Sequence, residues 1–89
     1  MRKYERLTKL GIRMFSSRRS AQTAVELNRQ AGWTGKPHAW STGAVAGTDG
    51  VVYYAVFRNE LREGRMCHVY VASVNPLRTV ELYQDQIPS

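Results

Sequence analysis

Apolar and polar residues recur with regular periods along most of this chain, and these periods predict its elements. Residues 10–15 alternate between apolar and small or polar side chains, which is typical of a half-buried strand. Residues 2–10 also carry apolar side chains at three-residue steps, so a short helix ending at Gly11 is the alternative for this segment. We expect the strand.

The next segment has the pattern of an amphipathic helix. The hydroxyls of Ser16 and Ser17 can accept the first backbone N–H groups of a helix. Apolar residues then recur at three- and four-residue steps from Ala21 to Ala31, with charged and amide side chains between them. Gly32 is placed to end the helix. Its mostly alanine face predicts close packing on a sheet.

The remainder of the chain reads as antiparallel strands. A connector at 32–37 is followed by a hairpin signal, since Asp49 and Gly50 lie between two β-forming runs. The predicted strands are residues 40–47, 51–58, 65–73 and 79–83. The expected fold class is α+β, a single amphipathic helix packed on a twisted, mostly antiparallel sheet of four to five strands in the order β-α-β-β-β-β.

Length and composition predict one folding unit spanning residues 1–89. With 43% apolar and 22% charged residues, the chain has the composition of a folded globular protein. Its one cysteine, Cys67, excludes an internal disulfide and fits a reducing compartment, so a cytoplasmic location is expected. No uncharged stretch approaches the ~20 apolar residues that span a bilayer, so no membrane partner is expected.

Positive charge is concentrated in the first third of the chain. The formal net charge is +6. Residues 1–36 hold nine cationic side chains and two carboxylates, whereas residues 37–89 hold four and five. Arginine outnumbers lysine ten to three, and its planar guanidinium binds phosphate and carboxylate in bidentate fashion. The distribution indicates an anionic partner; the alternative is a solvated face that keeps a small protein soluble.

The predicted helix and its neighbours supply the candidate contact residues. We expect these side chains to meet the partner: Arg13, Arg18, Arg19, Gln22, Arg29, Trp33 and Lys36. Trp33 would act as an apolar anchor. A further group, Arg2, Lys3, Arg6 and Lys9, is expected to extend them into one continuous positive surface. The partner is nucleic acid or a protein or nucleoprotein complex, and a second copy of the chain is a further candidate.

Catalytic, metal and cofactor sites are not indicated. Cys67 and His68 are adjacent in a predicted strand, so their side chains point to opposite faces and cannot form a catalytic pair. His38 lies in the connector without a nearby carboxylate. One cysteine and two scattered histidines supply no metal-ligand cluster. The glycines follow no nucleotide-binding pattern. We therefore expect no metal, no cofactor and no enzymatic activity.

Three aromatic residues have two interpretations. If Tyr53, Phe57 and Tyr70 faced solvent, they could stack on unpaired bases. A small domain needs most of its aromatic side chains in the core, so we expect them there.

Two resemblances extend this picture. Residues 14–59, MFSSRRSAQTAVELNRQAG and a hairpin closing on DGVVYYAVFRN, resemble the strand, helix and meander plan of small phage-encoded accessory proteins, among them anti-CRISPR proteins. The resemblance is one of plan, without a diagnostic motif. It implies a non-enzymatic inhibitor that occludes a host nucleic-acid-handling complex in a bacterial cytosol.

The second resemblance offers an alternative function. GVVYYAVF followed by HVYVASVNPLRTVELY is similar to the sheet of bacterial mRNA-cleaving toxins. This implies a metal-independent ribonuclease, whose cleavage would depend on Arg65, Arg78 and Tyr83. Those toxins have a longer helical N-terminal half, which this chain lacks. Direct DNA or RNA binding without cleavage is the remaining alternative.

Overall fold

Two helices and a four-stranded sheet make up the computed structural model, which describes residues 2–30, 40–75 and 77–87. The elements are α1 (Lys3–Lys9), α2 (Arg18–Gln30), β1 (Ser41–Ala46), β2 (Val52–Arg62), β3 (Arg65–Val71), β4 (Thr79–Tyr83) and a 3₁₀ turn (Gln84–Gln86). The strands are antiparallel and lie in the order β1-β2-β3-β4. The predicted α+β class, a helix on an antiparallel sheet, is confirmed.

The expectation of a single helix is wrong at the N-terminus, where α1 forms instead of the start of a strand. Gly11 has φ of +85°, and its N–H donates to the Thr8 carbonyl at 3.0 Å. The N–H of Ile12 reaches the Leu7 carbonyl at 3.1 Å. These two bonds form a Schellman motif, and the contact of Leu7 and Ile12 in one buried cluster completes it. The helix that ends at Gly11, our alternative, is the observed one.

The expected first strand survives only as an extended segment, residues 12–15. Ile12 forms a bridge with Ala72 just beyond β3, and Phe15 forms one with Tyr54 in β2. The N–H of Arg13 donates to the Val71 carbonyl at 2.9 Å. The segment therefore lies where β2 and β3 diverge and satisfies backbone groups of both. Its alternating pattern reflects this extended position.

Helix α2 begins as predicted. The Ser17 hydroxyl accepts the backbone N–H of Ser20 at 3.1 Å, so Ser17 is the N-cap. Ala21, Ala24 and Val25 are buried against the sheet, as the alanine-rich face indicated. The proposed end at Gly32 lies outside the described residues.

Short turns join β1 to β2 and β2 to β3. The turn between β1 and β2 contains Gly50 at φ +84°, and the Asp49 side chain accepts the N–H of Val51 at 3.0 Å. Gly47 is required there, because a Cβ would lie 2.8 Å from the Val51 carbonyl oxygen. Strand β2 continues to Arg62, beyond its predicted end, because a two-residue turn of Glu63 and Gly64 with positive φ joins it to β3.

The sheet carries one helix on each face. On the α2 face the core consists of Ala21, Ala24, Val25, Trp40, Val56, Cys67, Val69 and Val71. On the α1 face it consists of Leu7, Ile12, Val45, Ala55, Tyr70 and Leu82. Because α1 has seven residues, it covers only part of its face. Neither described helix is long and apolar enough to cross a bilayer.

Candidate functional site

Three of the predicted contact residues share one flank of α2. Arg18, Gln22 and Arg29 are four and seven residues apart in succession, which places them on the same side of a helix. This flank faces β1, since Gln22 and Arg29 line a depression together with Thr42. Arg19 is exposed on the solvent side of the same helix. We call Arg18, Arg19, Gln22 and Arg29 the α2 cationic surface.

Arg18 is held in place by two contacts. Its guanidinium carbon lies 5.0 Å from the centre of the Tyr54 ring. Its Nη1 donates a hydrogen bond to the Thr42 hydroxyl at 3.3 Å. Both contacts leave further N–H groups available, and a side chain fixed in this way loses less rotamer freedom when it binds an anion.

Arg13 lies away from this group. Its guanidinium carbon is 5.2 Å from the centre of the Phe15 ring, and it lines a groove of about 530 Å³ with Leu27 and Leu77. By helical spacing, Leu27 is on the flank of α2 opposite Arg18. The buried Asn28 also lines this groove, and its Nδ2 has no hydrogen-bond partner among the described residues. Arg13 therefore borders a second groove, which is more apolar than the α2 cationic surface.

The cations of α1 lie on the other face of the sheet. Leu7 of α1 packs in the cluster that contains Ala55, whereas α2 packs in the cluster that contains the next residue, Val56. Successive strand residues point to opposite faces, so the two helices are on opposite sides. The expected continuous surface is thus divided: Arg2, Lys3, Arg6 and Lys9 form a field separate from the α2 cationic surface. Trp33 and Lys36 lie outside the described residues.

The two halves of the chain differ in how their cations are paired, because the ion pairs found among the described residues all use arginines of the second half. Arg62 Nη2 lies 2.7 Å from Glu60, and Arg65 Nη2 lies 3.4 Å from Asp85. Arg58 Nη1 lies 3.2 Å from Glu60, close enough for an ion pair, but it does not form a hydrogen bond with the carboxylate. Within the described ranges, none of the eight cations of residues 2–30 has a carboxylate at ion-pair distance. Among the described residues, the cations without an ion-pair partner therefore lie mainly in the N-terminal part of the chain.

Glu26 reduces the net positive charge of α2. Glu26 lies on the helix three residues before Arg29, and its Oε1 accepts a hydrogen bond from the Gln30 amide at 3.5 Å. The helix still carries three arginines against this one acid. The local field remains positive.

The structure does not assemble an acid–base pair from Cys67 and His68. Cys67 belongs to the α2-face core and His68 to the opposite face, as expected for adjacent strand residues. Burial raises the pKa of the Cys67 thiol, with Arg62 acting in the opposite direction, so the group is a neutral thiol at pH 7. His38 lies outside the described residues. Those that are described contain no group of three potential metal-binding side chains.

The residues of the ribonuclease alternative are brought together only in part. The Arg65 guanidinium carbon lies 3.9 Å from the centre of the Tyr83 ring, beside Asp85. Arg78 precedes the first residue of β4, whereas Tyr83 is its last, so the length of the strand separates them.

The partners that orient Arg18 were not predictable from the sequence pattern. Tyr54 and Thr42 are on different strands, and only the β1–β2 register, which pairs Thr42 with Val56 and Ala44 with Tyr54, places both under α2. The sequence pattern also did not bring His68 and Lys3 together, although both line a groove on the α1 face with Phe57. The alternation of His68 and Tyr70 along β3 was the available signal.

Comparisons with protein-family models, with curated proteins and with solved structures find no match to this chain.

Proposed function

We propose that this protein is a small, non-enzymatic binding module whose α2 cationic surface covers an anionic surface of its partner. The observation that carries the proposal is the difference in pairing between the two groups of arginines. Arg58 and Arg62 both lie at ion-pair distance from Glu60, whereas Arg18, Arg19 and Arg29 have no described carboxylate at ion-pair distance. A guanidinium without an internal partner keeps its hydrogen-bonding capacity for an external phosphate or carboxylate.

The mechanism is occlusion. Arg18 and Arg29 are eleven residues apart, so they span about 16 Å along the helix axis. Gln22 lies between them and can donate or accept a hydrogen bond. A row of this length reaches two separated anionic groups of a partner and shields the surface between them.

The partner we favour is a nucleic-acid-handling complex of a bacterial host. The resemblance of residues 14–59 to anti-CRISPR proteins supports this choice, because such proteins act by blocking a protein surface or a nucleic-acid channel. An Arg-rich surface suits both, since both present phosphates or carboxylates.

Capture of the partner from a bacterial lysate tests the proposal. The tagged protein is compared with Arg18→Glu/Arg19→Glu and with Arg65→Glu/Arg78→Glu, which changes net charge equally but leaves α2 intact. We expect the wild type and the second variant to retain one complex after nuclease treatment, and the first variant to lose it. Loss of all captured material on nuclease treatment would indicate direct nucleic-acid binding. Equal capture by both variants would reject the α2 cationic surface.

A further inference from the structure

A groove of about 450 Å³ lies on the α1 face of the sheet, in the part of that face that the short helix does not cover. Its floor is formed by small residues of β1 and β2, including Gly43, Ala44 and Ala55. Phe57, His68 and Tyr70 form one wall. A cavity of this size falls in the range of roughly 300–1,000 Å³ that is typical of ligand sites.

The rings of Phe57, His68 and Tyr70 form a cluster that is only partly buried. The centroid distances are 5.8 Å between Phe57 and Tyr70, and 6.4 Å from His68 to each of the other two. Tyr70 is buried, but Phe57 and His68 are only partly buried and border the groove. The Phe57 ring lies against Gly43, where a Cβ would come within 3.0 Å of it. A side chain at position 43 would require the ring to shift by a few tenths of an ångström, so the glycine allows the ring to pack closely on β1.

The polar groups of the groove carry positive charge or no charge. Lys3 lines it, and Gln84 supplies an amide at its edge. No aspartate or glutamate is among its described lining residues. Burial lowers the pKa of His68, and the nearby Lys3 ammonium lowers it further. The imidazole is therefore neutral at pH 7. A neutral imidazole can both donate and accept a hydrogen bond.

We propose that this groove binds an unpaired base of a single-stranded nucleic acid, in contact with the rings of Phe57 and His68, which are tilted 56° to each other, and with the adjoining phosphate at Lys3. Partly exposed rings beside a cation are the combination by which proteins bind single strands. The bases of a duplex are already stacked on one another, so a duplex cannot insert one here without flipping it out. Lys3, Phe57 and His68 are not part of the α2 cationic surface, so this inference can fail while the proposed function stands, and the reverse also holds.

A titration with small ligands separates stacking from simple anion binding. The wild-type protein, with isotope-labelled Phe, His and Tyr, is titrated with AMP and, separately, with ribose 5-phosphate, while NMR follows the ring signals. We expect AMP to shift the Phe57 and His68 rings in a saturable manner and ribose 5-phosphate to leave them in place. Equal ring shifts with both ligands, or no ring shift with AMP, would overturn the proposal.

A second measurement uses a fluorescein-labelled ten-residue oligoadenylate and a ten-base-pair duplex. Phe57→Leu and His68→Leu each keep apolar volume but remove a ring, and each should weaken oligoadenylate binding about 10-fold, the effect of one lost stack. Tyr83→Leu removes a ring from the opposite face and is the matched control, with an expected affinity equal to wild type. Tighter binding of the duplex, or equal losses in all three variants, would contradict the proposal.

The two proposals give different patterns with Arg18→Glu/Arg19→Glu. This variant should retain the AMP-induced ring shifts, because it leaves the α1 face unchanged. Should either ring-removing variant fail to fold, the AMP titration of the wild type still decides the question.

Discussion

The guanidinium of Arg18 lies over the ring of Tyr54, 5.0 Å from its centre, and donates to the Thr42 hydroxyl at 3.3 Å. The first residue of α2 is thus connected to both β1 and β2. This arrangement orients the positive end of the side chain before any partner arrives.

Tyr54→Leu tests whether this orientation contributes to binding. The substitution removes the ring under Arg18 and leaves the net charge unchanged. A cation–π contact at an exposed site contributes about 0.5–1 kcal/mol, so partner affinity should fall about two- to fivefold. Isothermal titration against the captured partner measures this change. Tyr83→Leu, which removes the ring under Arg65, is the control; an equal loss in that variant would show that the Arg18 stack has no particular role.

Ser17→Ala should destabilise the protein through α2. The Ser17 hydroxyl accepts the N–H of Ser20 at 3.1 Å, and loss of such an N-cap costs about 1 kcal/mol. Ser16→Ala is the matched control, since its hydroxyl accepts no backbone N–H of the described residues, and its loss should change stability by less than about 0.5 kcal/mol. Urea denaturation measures both. Equal effects would place the start of the helix elsewhere.

Acidification should reduce stability through His68. Burial and Lys3 lower its pKa in the folded state below the usual 6.5, so the unfolded chain binds a proton more readily. This contribution is fully present above pH 6.5 and is lost as the pH falls through the folded pKa. The free energy of unfolding, measured between pH 7.5 and 5, should fall less steeply in His68→Leu than in the wild type. Parallel profiles would show that His68 does not titrate differently on folding.

Single-stranded RNA should remain intact when incubated with the protein in the presence of EDTA. Arg65 and Tyr83 are in contact, but Arg78 is at the opposite end of β4 and His68 is on the other face of the sheet. Cleavage needs a general base and a general acid within reach of one phosphate, and Arg78 lies a strand's length away from the contact of Arg65 and Tyr83. Gel analysis of the RNA provides the readout. Cleavage that disappears in Arg65→Ala and Tyr83→Phe would establish the ribonuclease alternative.

The elements that were predictable have local signals. The Ser17 cap and the Asp49–Gly50 turn act within a few residues, so both α2 and the first hairpin follow from the chain itself. Helix α1 was the alternative and not the expectation, because its end depends on contact between Leu7 and Ile12, whereas the alternation of residues 10–15 resembles a strand.

The division of the positive charge was not predictable for a similar reason. The segment 12–15 lies between the diverging ends of β2 and β3 and separates α1 from α2, which pack on opposite faces. That position depends on pairings with residues more than thirty positions away. Charge counting along the sequence identifies the cations but not the face on which each one lies.

Heparin chromatography tests most directly whether the unpaired arginines of α2 form the anion-contacting surface. The wild type is compared with Arg18→Glu/Arg19→Glu and with Arg65→Glu/Arg78→Glu, two variants of equal net charge whose folding is verified by thermal denaturation. If these arginines form the contact, the α2 variant elutes at much lower salt than the wild type, while the second variant elutes close to the wild type. Equal reductions in the two variants would contradict this contact, because binding would then follow total charge alone.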